Sequence, residues 1–516
     1  MSAPLVAVTS AWPAVAVGLP LIGVALAAVG GGVPERGRAI AWVALGVSSM
    51  AVAFGLAAEV LAGRAPGAGL LHMTPTLWLS FRVDAPGALY GATVAGLGAL
   101  ALAYSLGYVP PGARQARFFA FLFACLACTL GVAYAADLFT FLIFYEAFSV
   151  LTYALVVHEQ TPAALAAGAK YIAYVLVGGS LILAGVLQVY FLAGGLTFAA
   201  GGMLPADASA ASLLPAFWCF VAGFGVKAAL VPLHGWVPDA HPAAPAPFSA
   251  LLSGVMVAAG AFGIARVLFD VYGVGRIVEL GVAPWLGAIA AVTVLVGAVL
   301  AIGQDDLKRR LAYSTISQMG YLTLSFALLG AGVAVGALVH LVHHAFLKGA
   351  LFFCAGLWNH GIGARRVSEL RGVAGRMPWT SAAFSLAALG MIGIPPLAGF
   401  VSKWWLGLGM LEVGSGWALA VLLTGALLAA AYLLPVVGTV YLGAPAPFRR
   451  TPPSDPPGSP TVAPSPPPPV REAPPTMLVP AVVAATLTLV FGFASHLQGF
   501  PLQLAERAVA RWFGGT

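Results

Sequence analysis

Apolar runs long enough to cross a lipid bilayer follow one another along almost the whole chain. A spanning helix needs roughly 20 apolar residues. Runs of about that length lie at 3–30, 38–62, 86–108, 117–134, 136–157, 168–195, 213–242, 248–270, 278–302, 308–330, 331–357, 380–409, 415–443 and 477–500. Within hydrocarbon, backbone N–H and C=O groups must bond to one another. Only helices and closed barrels achieve this, and runs this long are helices. The expectation is an all-α polytopic membrane protein of about fourteen transmembrane helices, with residues 1–516 forming a single integral membrane domain. The chain offers no candidate strands, so there is no strand for a nucleotide-binding glycine fingerprint to follow.

Composition supports this class. Only 8% of the 516 residues are charged and 60% are hydrophobic, whereas a soluble domain is about a quarter charged. The formal net charge of +7 does not point to nucleic acid, because the cations form no stripe with interleaved aromatics. They sit in short connections, where they set orientation in the bilayer. The connections after odd-numbered runs carry fourteen Lys and Arg, among them Lys308, Arg309, Arg310, Arg365 and Arg366. Those after even-numbered runs, with the terminal tail, carry five. Odd connections are therefore expected in the cytoplasm, with both termini outside. The first run lacks a cationic leader and is too long for a signal peptide, so it reads as a membrane helix. Residues 444–476 are proline-rich and are expected to form an extended cytoplasmic loop before the last helix at 477–500. Cys125 and Cys128 form a C-x-x-C inside an apolar run and read as small core residues. No cysteine spacing suggests zinc or an iron–sulfur cluster.

Charge inside a bilayer is costly and marks function by default. Glu146 and Lys227 lie deep in their runs, and Lys170 opens another. His340, His344 and Lys348 share one helix face at i, i+4 and i+8, with His343 out of phase. Lys403 follows GIPPLAGF. Proline breaks a helix by removing a backbone donor and clashing with the turn before it. A membrane tolerates such a break only where protein or water re-satisfies the backbone. Pro232 breaks the seventh run just after Lys227, and Pro395–Pro396 break the twelfth just before Lys403. Two interrupted segments, each with a lysine, suggest internal repeats, here five helices each at about 117–270 and 278–443. Burial disfavours a lysine's charge and a nearby carboxylate restores it. A movable Glu146–Lys227 distance would therefore gate a proton.

These stretches carry a resemblance. FRVDAPGALY with AYSLGY, the Glu146 segment, GFGVKAALVPLHGWVPDAHPAAPAPFSALLSGV, DDLKRRLAYSTISQMGY, HLVHHAFLKGALFFCAG and GIPPLAGFVSKWW resemble the antiporter-like membrane subunits shared by respiratory complex I and Mrp-type Na⁺/H⁺ antiporters, the Mrp type above all. The likeness covers residues from about 80 to 440. It implies a fold of inverted repeats with broken helices 7 and 12. It also implies a proton path through Glu146, Lys227, His340, His344, Lys348 and Lys403, where Lys403 exchanges protons with the far side. Lys170, His234, Asp239, Ser314 and Gln318 are accessory positions, and His234, Asp239 and His241 match a loop signature read as structural. One departure stands out. The family commonly has a basic residue in helix 8, and the aligned position here is Ala258. The link would then need water or polar groups such as Ser253, Thr293, Ser314 or Gln318.

The resemblance implies a subunit of a multi-subunit complex in a bacterial inner membrane, with other hydrophobic subunits, protons and Na⁺ as partners. A cation/proton antiporter, a pump module driven by a complex I-like or hydrogenase complex, and an energy-coupling subunit for inorganic-carbon uptake all fit it. A structural scaffold whose buried charges only pair is the alternative from another class. No cofactor or metal site is expected in the chain itself.

Overall fold

The computed structural model describes residues 9–29, 34–74, 77–443, 472–494 and 500–514. The chain opens with two helices, α1 (Trp12–Val29) and α2 (Glu35–Leu61). A β-hairpin follows, with β1 (Gly67–Thr74) antiparallel to β2 (Leu77–Arg82). This corrects the expectation of no strands. Its stability comes from neighbours: Phe81 is fully buried and bridges to Ala135, and the Ser80 amide donates to Thr140 Oγ1 at 2.9 Å.

Helices α3 (Ala85–Tyr108), α4 (Ala113–Tyr134), α5 (Leu138–Val156) and α6 (Pro162–Ala193) come next. Three of them start at a side-chain cap, since Asp84, Asp137 and Thr161 accept from Gly87, Thr140 and Ala164 amides that the first turn would leave orphaned. Helix α7 (Ala210–Lys227) stops at its lysine, and the chain turns before the short α8 (Val237–Ala243). The next span, Ala246–Tyr272, contains α9 (Ala246–Leu251) and α10 (Ala258–Arg266), each followed by a π-helical stretch. A short α11 (Val274–Leu280) leads into α12 (Ala283–Ile302), α13 (Leu307–Ala327) and α14 (Ala331–Ile362). Helix α15 (Pro378–Ile392) and α16 (Ala398–Glu412) are separated by the second break, and α17 (Gly416–Tyr441) and α18 (Pro475–Phe493) follow.

Among the described residues, twelve helices are long and apolar enough to cross a membrane. Helix α13 is too polar to count among them, and α15 and α16 are too short. Helix α14 is the axis of the molecule. It is enclosed along its whole apolar stretch and packs on α3, α9, α13, α15, α16 and α18. Most of the expected proline-rich loop, residues 444–471, lies outside the described residues. Its far end is anchored, because the Glu472 carboxylate accepts from the Trp379 amide (2.6 Å) and Thr380 Oγ1 (2.7 Å) at the start of α15.

The sequence gives no warning of α19 (Leu502–Phe513), an amphipathic helix that packs on α3 and α14. Trp512 stacks on Phe269 with ring centroids 4.5 Å apart. Arg511 bonds to Asp84 and lies 3.1 Å from Asp270 Oδ1, while the fully buried Arg266 lies 2.7 Å from Asp84 and 2.8 Å from Asp270. Burial alone would raise the Asp84 carboxyl. The two guanidiniums outweigh it and hold that group below the usual carboxylate range.

Candidate functional site

The first break keeps its backbone satisfied from two sides. The Val231 amide donates to Thr293 Oγ1 on α12 at 3.0 Å, and Trp236 Nε1 donates to the Val226 carbonyl in the last turn of α7 at 2.8 Å. The break therefore stands as built structure, and Lys227 ends α7 with only 2% of its surface exposed. Its ammonium donates to Tyr171 OH at 2.9 Å and to Ser149 Oγ at 3.4 Å. Among the described residues no carboxylate comes within 4.0 Å of it. Glu146 is near on α5 but separate. Among the described residues its buried Oε1 has no hydrogen-bond partner, and it lies so tightly over α6 that a Cβ on Gly179 would meet the carboxylate. A side chain there would push the carboxylate aside.

Lys170 does not join Lys227. It pairs with Asp239 at 2.8 Å, and Arg309 reaches the same carboxylate at 3.5 Å. These groups line a cavity of about 950 Å³ with Asp306, Lys308, His360 and Arg365. His234 stands apart from that lining, and among the described residues its buried Nδ1 has no partner.

Ala258 is fully buried at the start of α10. A polar thread lies one turn away: Ser253 Oγ and Thr315 Oγ1 are 2.6 Å apart, and Thr315 donates to the Leu311 carbonyl at 3.0 Å. Lys348 donates to that same carbonyl at 3.0 Å and to Ser314 Oγ at 2.7 Å. Ser314 in turn lies 2.8 Å from Tyr432 OH. His340 is held at both ring nitrogens, by Gln318 Oε1 (3.0 Å) and Ser402 Oγ (2.9 Å). His344 lies on the same face of α14 and is fully buried. Helix α13 thus supplies Ser314, Thr315 and Gln318, all facing inward, which is why its sequence is too polar for a lipid-facing span.

At the second break Lys403 reaches back to the end of α15. It donates to the Met391 and Ile392 carbonyls at 2.8 and 2.7 Å, capping the helix terminus with a cation. Gly393, at φ +101°, gives it room, since a Cβ there would lie 2.9 Å from Lys403 Cδ. Sequence reasoning missed Ser149, Tyr171, Ser402 and Tyr432. Each looks like an ordinary small or aromatic member of an apolar run, and only the packing brings it to a charge.

Among known protein families, residues 135–429 match the one described as NADH:quinone oxidoreductase/Mrp antiporter, TM. The chain is 38% identical over 403 residues to NADH-quinone oxidoreductase subunit N of Desulforudis audaxviator, covering 77% of this chain and 78% of that one. It is 34% identical over 349 residues to hydrogenase-4 component B of Escherichia coli, covering 63% of this chain and 50% of the relative's length. Among solved structures it is similar to a chain of the Mrp complex from Dietzia sp. DQ12-45-1b, with a TM-score of 0.85, 25% identity and 98% of each chain covered.

Proposed function

Because the chain belongs to the NADH:quinone oxidoreductase/Mrp antiporter transmembrane family, we propose that it is a proton-translocating subunit of a multi-subunit membrane complex. One observation carries this reading. Lys227, Lys348 and Lys403 are all buried, and among the described residues none has a carboxylate within 4.0 Å. In a scaffold, buried charges would be paired, because an unpaired one is costly. An ammonium held only by hydroxyls and carbonyls gives up its proton without stranding a buried anion.

In this proposal Lys227 is the central carrier and Glu146 tunes it. The proton passes by water and the Ser253–Thr315 thread to Lys348, then through Ser314 and Tyr432. Gln318 positions His340, His344 joins the path through water, and Lys403 exchanges with the far side. Lys170 and Asp239 serve the cavity, which we take as the cytoplasmic mouth, and His234 is an accessory group at the first break. The polar α13 and the broken pair α15–α16 complete fourteen crossings, arranged as inverted repeats about α7–α8 and α15–α16. The basic connections face the cytoplasm of a bacterial inner membrane.

We favour an Mrp-like cation/proton antiporter subunit, supported by the end-to-end likeness to a chain of an Mrp complex. A redox-driven pump module is the second reading, supported by the 38% identity to an NADH-quinone oxidoreductase subunit. In either case the chain holds no cofactor, electron transfer belongs to partner subunits, and a sodium path belongs to a neighbour. Purification of the intact complex in mild detergent with identification of its subunits separates the two. Iron–sulfur or nickel partners support the pump. Small hydrophobic partners without redox centres support the antiporter. Lys227→Ala and Glu146→Ala are each expected to lower proton flux at least about 10-fold in the assembled complex; wild-type flux in both would overturn the mechanism.

A further inference from the structure

The buried ammonium of Lys227 has two hydroxyl partners and, among the described residues, no counter-ion within reach, so something else must offset its charge. Three aromatic rings surround it. Nζ lies 4.2 Å from the ring centroid of Phe148, 5.3 Å from that of Tyr171 and 5.9 Å from that of Trp236. All three rings are completely buried. They come from α5, α6 and the segment between α7 and α8, so the enclosure exists only when these three elements are packed together. Each ring is fixed. Tyr171 OH donates to the Ser149 carbonyl at 2.7 Å, Trp236 Nε1 is bound to Val226 and its ring stands edge-on to Tyr171 at 5.0 Å, and Phe148 stands edge-on to Tyr145 at 5.2 Å.

An aromatic face is electron-rich and attracts a cation most strongly where water is excluded. We propose that the rings of Phe148 and Trp236, completed by the Tyr171 hydroxyl, form an aromatic cage that seats the protonated Lys227, as an alternative to the carboxylate seat at Glu146. This rests on the reading of Lys227 as a proton carrier. The two seats lie on the same helix, since Glu146 and Phe148 are both on α5. In the cage the carrier stays loaded while the Glu146 carboxylate remains free for other partners. Moving to the carboxylate then exchanges one stabilised position for another, so the ammonium crosses no bare apolar gap. Phe148, Tyr171 and Trp236 are positioning residues, acting on the proton only through Lys227.

Progressive fluorination of the ring at position 148 tests the cage, because it drains the electron-rich face with little change in shape. Full-length protein carrying mono-, di- or trifluorophenylalanine in place of Phe148 is compared in thermal unfolding and in proton flux. The expected result is a stepwise fall in melting temperature, on the order of 1 °C, that vanishes in a Lys227→Met background. Flux is expected to fall in the same order, reaching about 10-fold for the trifluoro ring. A melting series of equal slope in the wild-type and Lys227→Met backgrounds would overturn the cage. So would flat flux across the series while Lys227→Met abolishes transport. Wild-type flux in Lys227→Met would instead remove the carrier reading, and the melting series would still decide whether the cage binds the cation.

Discussion

Asp137 carries a titration that belongs to a single side chain. It lies just before α5, 6% exposed, and its oxygens accept from the Thr140 amide (2.6 Å), Ser80 Oγ (2.7 Å) and Thr140 Oγ1 (3.0 Å). Among the described residues no cation pairs with it, so burial pushes its carboxyl up from 3.8 to about 6 despite those bonds. A carboxyl raised in the folded state adds stability below its unfolded value, and that stability is lost as pH rises through the folded one. The window therefore runs from 3.8 to about 6. Melting temperature is expected to rise as pH falls across that window, relative to the Asp137→Asn variant, whose profile lacks this component. Residues of this kind were only partly legible in the sequence. Lysines in apolar runs announce themselves by the cost of burying charge. Phe148, Tyr171 and Tyr432 do not, because an aromatic in an apolar run looks like core until its neighbour across the packing is known.

Among the helices and strands, the prolines at 232 and 395–396 located both helix breaks, since the loss of a backbone donor is written in the residue itself. What re-satisfies each break was not legible. Thr293 and Trp236 at the first break and Lys403 at the second lie across tertiary contacts. The hairpin escaped because β2 is only six residues long and leans on α5 for its burial. Helix α13 was identified from its length despite weak hydropathy, and its polar face is what meets α14 and α17. Tyr432 on α17 closes that meeting through Ser314. Removing only its hydroxyl should interrupt the thread from Lys348 while leaving the packing whole. Tyr432→Phe is expected to reduce proton flux about 10-fold with unchanged melting temperature, measured in proteoliposomes and by thermal unfolding.

For the molecule as a whole, the membrane class and the near end-to-end succession of spans followed from hydropathy alone, because lipid leaves a chain so few solutions. The closure by α19 did not follow. A helix of 12 residues with charges on one face resembles a polar tail until its apolar face finds α3 and α14. Arg511 on that helix pairs with Asp84 and Asp270, which also face Arg266 and, without a direct ion pair, Arg82. Arg511→Ala is expected to destabilise the fold by less than the cost of a fully stranded buried charge, about 3–5 kcal/mol, because Asp84 and Asp270 lose one ion-pair partner but keep Arg266. Asp270→Asn in that background should recover part of the loss, as thermal unfolding would report. The cluster also orders events in time. Two carboxylates and the guanidiniums of Arg82 and Arg266 are in place once the span ending at Tyr272 has inserted, and the third guanidinium, Arg511, arrives only with α19, after every membrane-spanning helix described. A chain stalled or clipped before that point leaves both carboxylates without one of their direct ion-pair partners, which is a chemical mark by which an incomplete protein differs from a finished one.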